Sequence, residues 1–256
     1  MTFGKVYLIP TPISRAASKD LVPPENLKII RSIHHFAVEN LRPAVSFLQW
    51  IDHPTPEFEL KFYELNKRTK DLDIHEIIQF VLNGYDVGII TDAGCPGVAD
   101  PGSKLVQSAH NFDIDVIPLI GPASPVLALM ASGLNGQNFS FHGYLPNKAK
   151  AREERIKELE LRSSAEESAH FFIETPHRNV ETYKALLSTL SNDTSLCISA
   201  DITGPAQFNR TKEVSEWKPI KPPIIDKIPV IFGFQAKISK PVNLSGKKAV
   251  KKKFGR

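Results

Sequence analysis

Short apolar runs alternate with helical segments along the first half of the chain, and this alternation restricts the fold more than any other feature. The runs typical of strands occupy residues 5–10, 35–38, 57–65, 86–91 and 114–120. Residues 73–83 have apolar positions three and four apart, as in an amphipathic helix, and Gly84 after them is typical of a helix end. Strands separated by helices of this length predict a mostly parallel sheet with both faces covered.

The second half of the chain is organised in the same way without repeating the sequence. Strand-like runs occupy residues 139–143, 170–174, 195–200 and 229–235, and helical segments occupy residues 124–132, 148–161 and 179–190. We therefore predict an α/β fold with two α/β domains. The N-terminal domain spans residues 1–120 and has the mostly parallel sheet, and the C-terminal domain spans residues 121–236.

Cysteine usage and hydropathy exclude several classes of protein. Cys95 and Cys197 are the only cysteines, which excludes a disulfide framework and a cysteine-based zinc site. The histidines and carboxylates show no metal-ligand spacing, so we expect no metal. The first apolar run is broken by Pro10 and Pro12, unlike a signal peptide, and no run approaches the roughly 18 apolar residues of a membrane span. We expect a cytoplasmic protein with no membrane partner.

The net charge of +4 hides an uneven distribution of charge. Eight of the 32 basic residues lie in residues 237–256, where there is no acidic residue, so the rest of the chain has four more acidic than basic residues. A segment rich in Lys, Ser and Gly buries too little apolar surface to fold, so we predict a disordered basic tail. This tail either binds RNA through its charge or keeps the protein soluble, and composition supports both interpretations.

Residues 91–102, TDAGCPGVADPG, join a buried strand to a helix and are the most informative segment. Ligands of open parallel sheets bind beyond the carboxyl ends of the strands. Glycine lets backbone approach a ligand, proline fixes the shape of a loop in advance, and Asp92 and Asp100 add acceptors. The alternative is a strand–helix turn in which Asp100 caps the following helix. Three glycines and two prolines exceed what a turn needs, which favours a ligand site.

A second Gly/Pro bend, from Gly121 to Ser124, follows the next strand of the predicted sheet. Two bends at neighbouring strand ends are expected to form two walls of one pocket. Neither bend is a G-x-G-x-x-G motif or a P-loop, so the usual signal of a dinucleotide or triphosphate site is missing.

Six segments together resemble one known family. They are TPI at residues 11–13, DAGCPGVADPG at 92–102, PLIGPAS at 118–124, ASGL at 131–134, GYLPNKAKAREER at 143–155 and ETPHR at 174–178. Their order and spacing resemble the RsmI-like family of ribosomal small-subunit RNA 2′-O-methyltransferases, which have the tetrapyrrole-methylase fold. The resemblance extends over residues 5–235.

The resemblance implies a homodimer of two-domain subunits that bind S-adenosylmethionine in the cleft between the domains. It implies contacts of this cofactor with the turn after the first strand, with both Gly/Pro bends and with strands of the second domain. The expected cofactor-binding residues are Pro10, Thr11, Pro12, Asp92, Gly94, Cys95, Pro96, Gly97, Val98, Asp100, Gly121, Pro122, Ala123, Ser124, Phe172, Glu174, Thr175 and Pro229.

Two segments depart from the family pattern. A family segment resembling A-E-D-T-R reads VENLR here, at residues 38–42, and one resembling R-E-L-T-K reads SADITG, at residues 199–204. Glu39 and Arg42 remain and are the catalytic candidates. Glu39 would act as the base that accepts a hydroxyl proton, with Arg42 orienting it or contacting phosphate. The alternative is a surface pair three residues apart on a helix.

The sequence therefore predicts an S-adenosylmethionine-dependent methyltransferase that acts on a ribose 2′-hydroxyl of small-subunit ribosomal RNA, with this RNA or the subunit as its partner. Two alternatives stay open. The methyl acceptor is a tetrapyrrole or a protein side chain, or the chain is a paralogue that binds S-adenosylmethionine without catalysing transfer.

Overall fold

The computed structural model describes residues 2–238, except Arg15 and Lys67. The predicted tail, from residue 239 onward, lies outside the described residues. The first sheet consists of β1 (Val6–Ile9), β2 (His35–Val38), β3 (Lys61–Glu64), β4 (Val87–Ile90) and β5 (Val116–Pro118). The strand order is β3-β2-β4-β1-β5, and every neighbouring pair is parallel.

Helices cover both faces of this sheet. They are α1 (Pro24–Ser32), α2 (Leu41–Trp50), α3 (Asp71–Leu82) and α4 (Ser103–Asn111). One face packs against α1 and α2 around Phe36 and Ile90, and the other packs against α3 and α4 around Val87 and Ile89. All four residues of β4 are buried because both sides of the strand are covered. This explains why its sequence is continuously apolar.

The second sheet is mostly antiparallel. Its strands are β6 (Phe139–Tyr144), β7 (Ala169–Glu174), β8 (Ser195–Ala200), β9 (Phe208–Glu213) and β10 (Val230–Gln235). The order is β6-β7-β10-β8-β9, and the pair β6–β7 is parallel whereas the other three pairs are antiparallel. The remaining helices are α5 (Ser124–Ser132), α6 (Ala149–Glu166), α7 (Asn179–Thr189) and α8 (Val214–Trp217).

The two faces of the second sheet have different partners. Phe172 and Phe232 belong to a core that the sheet shares with α6, α7 and α8. Phe171 and Ile231 lie on the opposite face, where Ala128 of α5 packs against them. Part of this second face also borders a cavity, which Ile231 lines. The alternation of side chains along each strand therefore separates a structural face from a face available to a ligand.

These observations confirm the predicted α/β fold with one sheet in each half of the chain. The strands of the first sheet precede Gly121 and those of the second follow it. The division of the chain into two domains at residue 120 stays a prediction. The expected strand over residues 57–65 begins only at Lys61, because Glu57–Glu59 form a 3₁₀ helix. Within the described residues, no helix has both the length and the apolar character that crossing a membrane requires.

A chain of hydrogen bonds joins three polar side chains in the second half of the molecule. His170 on β7 is fully buried, with its Nδ1 2.8 Å from Nε2 of His142 and its Nε2 3.1 Å from Oγ of Ser168. Burial lowers the pKa of His170 to about 4, and the charges of His142 and Arg162 act in the same direction. His170 is therefore neutral at pH 7 in the folded protein.

Acidification should destabilise the protein through His170. The unfolded chain binds a proton near the ordinary pKa of 6.5, whereas the folded chain resists protonation until about pH 4. The stabilising contribution is fully present above pH 6.5 and is lost as the pH falls toward 4. Between about pH 7.5 and pH 5, the unfolding free energy from urea titration should fall by about 2 kcal/mol more in the wild type than in His170→Gln. Equal losses would contradict this assignment.

Candidate functional site

The loops after β1, β4 and β5 meet at one edge of the first sheet and are tied to one another. Thr11 and Gly94 exchange two backbone hydrogen bonds, of 2.9 and 3.0 Å. The hydroxyl of Thr11 also donates to the carbonyl of Thr91 over 3.1 Å. The thiol of Cys95 donates to the carbonyl oxygen of Pro122 over 3.4 Å. The three loops therefore form one continuous surface.

Glycine is required at two positions of this surface. Gly94 has a φ of +80°, a left-handed conformation that other residues adopt only with strain. At Gly121, an added Cβ would lie 2.3 Å from Cβ of Pro10. Any side chain at Gly121 would therefore push the loop after β5 away from the loop after β1. Close contact between the loops therefore explains the glycine at position 121, whereas backbone conformation explains the glycine at position 94.

A cavity of about 300 Å³ lies between these loops and the second sheet, and we call it the central cavity. Gly94, Cys95 and Val98 line it from the first half of the molecule, and Phe141 and Ile173 line it from the second. Its volume is at the lower end of the roughly 300–1,000 Å³ that is typical of small-molecule sites. The loops contact each other and still leave room for a ligand.

Three carboxylates lie along one side of the central cavity. Asp92 accepts a hydrogen bond of 2.9 Å from the side chain of Asn40, and its own backbone N–H donates to Glu39 over 3.4 Å. The third, Asp100, makes no hydrogen bond or ion pair through its side chain with any other described residue. Burial, together with the charges of Glu39 and Asp92, raises the pKa of Asp100 to about 7. Near neutral pH this carboxyl group is close to half protonated.

The opposite wall carries a carboxylate that is already neutralised. Glu174 lies 2.6 Å from the guanidinium of Arg178 and accepts a hydrogen bond of 2.8 Å from Thr182. Its other oxygen accepts the backbone N–H of Thr175 over 2.7 Å. Glu174 therefore stabilises the turn after β7, whereas the net negative charge of the cavity comes from the first half of the chain.

Comparison with known proteins gives consistent results. No family model matches the chain. A ribosomal RNA small subunit methyltransferase I of Vibrio cholerae is 30% identical over 198 residues, which cover 77% of this chain and 65% of that protein. The Bacillus subtilis protein of the same name is 31% identical over 200 residues, which cover 78% of this chain and 64% of that protein. This chain is therefore similar to ribosomal RNA small subunit methyltransferase I of both organisms. It spans slightly less than two thirds of the length of these two proteins.

Two solved structures match the fold of this chain over most of its length. The methyltransferase CobJ matches with a TM-score of 0.60 and 18% identity, over 91% of this chain and 95% of that chain. Uroporphyrin-III-C-methyltransferase from Thermus thermophilus matches with a TM-score of 0.53 and 16% identity, over 91% of this chain and 94% of that chain. At these identities the comparison shows the fold alone, which is that of the tetrapyrrole methylases.

The structure brings about half of the expected site residues into the central cavity. Those that line it are Glu39, Asp92, Gly94, Cys95, Val98, Asp100, Ala123, Ser124, Glu174 and Pro229. A small pocket between the loops and the start of α1 is lined by Pro10, Thr11, Pro12, Gly121 and Pro122. Arg42 lies in a groove along α2. The expected residues that line none of these three spaces are Pro96, Gly97, Phe172 and Thr175.

Strand alternation explains one misplaced residue and several missed ones. Phe172 is fully buried in the core beside α6, whereas its neighbour Ile173 lines the central cavity. Sequence reasoning missed Phe141, Tyr144 and Ile231, which line the cavity from β6 and β10. The alternation in β7 assigns neighbouring residues to opposite faces of the sheet, but the sequence does not show which face borders the central cavity.

Replacing Gly121 with alanine should separate the loops after β1 and β5. The new Cβ would lie 2.3 Å from Pro10, and such overpacking costs about 1–3 kcal/mol. Calorimetry should therefore show a lower melting temperature for Gly121→Ala. The control is Gly136→Ala, since no heavy atom of the described residues lies within 4 Å of its added Cβ. A melting temperature for Gly121→Ala as high as that of the control would contradict the tight contact.

Proposed function

We propose that this chain is an S-adenosylmethionine-dependent methyltransferase whose acceptor is a ribose 2′-hydroxyl of small-subunit ribosomal RNA. The central cavity is the observation that carries the proposal. It combines carboxylates with apolar walls at the carboxyl ends of parallel strands, in a chain that is similar to named ribosomal RNA methyltransferases.

The residues of the central cavity fit a positively charged nucleoside. Ile13, Phe141 and Ile231 offer apolar surface, and Asp92 and Asp100 offer negative charge. When bound, S-adenosylmethionine supplies a methyl group on a positively charged sulfur. Because that methyl group is already electrophilic, the protein contributes mainly by holding the acceptor in line with it. The two Gly/Pro bends, the second of which ends in Ala123 and Ser124, would hold S-adenosylmethionine against the second sheet.

A ribose hydroxyl reacts faster when a neighbouring group accepts its proton. We assign this role to Glu39, whose carboxylate lines the cavity and accepts the backbone N–H of Asp92. Asp100 lies on the same side of the cavity, and its pKa of about 7 allows it to take up a proton near neutral pH. Glu39 therefore accepts the hydroxyl proton in the proposed reaction, and the neutral thioether that leaves needs no proton in return.

The proposal includes a homodimer in the cytoplasm. Val126 and Met130 lie four residues apart on α5 and are 47% and 75% exposed, and Ile120 just before this helix is 77% exposed. Apolar side chains on one helix face are typical of surfaces that another chain covers. A second copy would cover them through a two-fold symmetric contact.

Labelled S-adenosylmethionine tests the proposed reaction. With small ribosomal subunits or their free RNA, the wild type should transfer label to a ribose 2′-oxygen. Glu39→Gln should lower kcat by about 10²–10⁴-fold, since proton acceptance is lost, whereas Glu59→Gln on the exposed 3₁₀ helix should behave as the wild type. Label in a small molecule or a protein would overturn the RNA assignment, and donor binding without transfer would overturn the assignment as an enzyme.

Asp100 should make donor binding depend on pH. Its carboxyl group is mostly neutral at about pH 6 and mostly ionised at about pH 8, and the ionised form attracts a cation. Calorimetry should therefore show affinity for S-adenosylmethionine rising roughly 3–10-fold over this range, relative to S-adenosylhomocysteine, whose sulfur is uncharged.

Two aspartate variants separate this effect from general changes in charge. Asp100→Asn should abolish the pH-dependent difference between the two ligands. Asp226→Asn, at an exposed position, should keep it. The loss of the difference in both variants, or in neither, would contradict the role of Asp100.

A further inference from the structure

A groove of about 700 Å³ runs beside the central cavity, between α2 and the segment after β1. We call it the α2 groove. Arg42, Ser46 and Trp50 line it from the helix, and Pro12 and Ser14 line it from the other side. The three helical residues are spaced four apart, so they share one face of α2.

The helix side of the α2 groove presents two groups that suit nucleic acid. The guanidinium of Arg42 is exposed and makes no hydrogen bond or ion pair with other residues of the described chain. Trp50 is half-buried, and its ring centroid lies 6.2 Å from that of Phe47, which supports the indole from the side of the core. An available cation and a supported aromatic ring are the groups that bind phosphates and stacked bases.

The start of α2 adds positive potential next to Arg42. The side chain of Asn40 does not cap this helix and donates instead to Asp92 over 2.9 Å. Asn40 therefore leaves the first N–H groups of α2 without its side chain as an acceptor, and the positive end of the helix dipole lies beside Arg42. Both features favour an anion at this end of the groove.

The α2 groove and the central cavity adjoin at Asp92, which lines both. A ligand that reaches the carboxylates of the cavity can therefore continue along α2. A polymer needs such a second surface, whereas a small acceptor would fill the cavity alone.

We propose that the α2 groove binds the RNA strand next to the methylated nucleotide, with Arg42 contacting a phosphate and Trp50 stacking on a base. This inference rests on the proposed function. Eight residues of helix separate the two groups by about 12 Å, so they hold one strand at two separate points. Arg42 then positions the substrate and takes no direct part in methyl transfer.

Two variants with different signatures test this inference in binding measurements on small-subunit ribosomal RNA. Trp50→Ala removes stacking and should weaken RNA affinity by roughly 5–100-fold with an unchanged dependence on salt. Trp50→Phe should restore much of the affinity, because a phenyl ring also stacks. Arg42→Gln should make the negative slope of log affinity against log salt shallower by about 0.7, the value for one phosphate contact on a single strand.

Matched controls and a second ligand keep the outcomes separate. Gln49→Ala on the same helix and Arg68→Gln after β3 are exposed changes outside the α2 groove, and they should leave RNA affinity unchanged. Each variant should keep the wild-type affinity for S-adenosylmethionine, which shows that it is folded.

Four results decide the matter. Loss of RNA affinity in the groove variants alone supports the inference. Unchanged affinity in both, in a wild type that methylates RNA, overturns the α2 groove and leaves the proposed function standing. A wild type that methylates no RNA overturns the proposed function itself. A change of oligomeric state in Trp50→Ala, seen by light scattering, would assign the groove to a second copy and overturn its role with RNA.

Discussion

The paired backbone hydrogen bonds between Thr11 and Gly94 are the constraint on which the site depends. They join the loops after β1 and β4, two neighbouring strands of the first sheet. The positive φ of Gly94 lets the chain turn after this contact and brings Cys95 against Pro122 in a third loop. Backbone and small residues therefore build the floor of the central cavity, so its shape depends little on flexible side chains.

The second sheet supplies the other wall through a simple division of its side chains. One face carries the core that stabilises the fold, and the opposite face gives α5 a packing surface and the cavity its apolar lining. The charges of the carboxylates around the cavity also differ between the two halves of the molecule. Arg178 neutralises Glu174 in the second half, whereas in the first half the charges of Glu39 and Asp92 raise the pKa of Asp100. Their mutual repulsion makes the site responsive to a positively charged ligand.

Sequence patterns predicted the α/β architecture and the loops that line one side of the central cavity. Continuous apolar runs such as Val87–Ile90 predict buried parallel strands, and the Gly/Pro bends after them predict a ligand-binding edge. The contributions of the second sheet were harder to predict. Ile173 and Phe172 are both apolar, and only the packing of α6 decides which of them is turned away from the cavity. The place of Arg42 in the α2 groove was equally hard to predict, because the groove forms only where α2 packs beside the segment after β1.

A crystal structure of the full chain with S-adenosylhomocysteine tests the central claim most directly. We predict electron density for the nucleoside in the central cavity, with the ligand between Gly94 on one side and Ile231 on the other. The same nucleoside bound in the α2 groove or on the outer surface, with the central cavity filled by protein side chains, would contradict it.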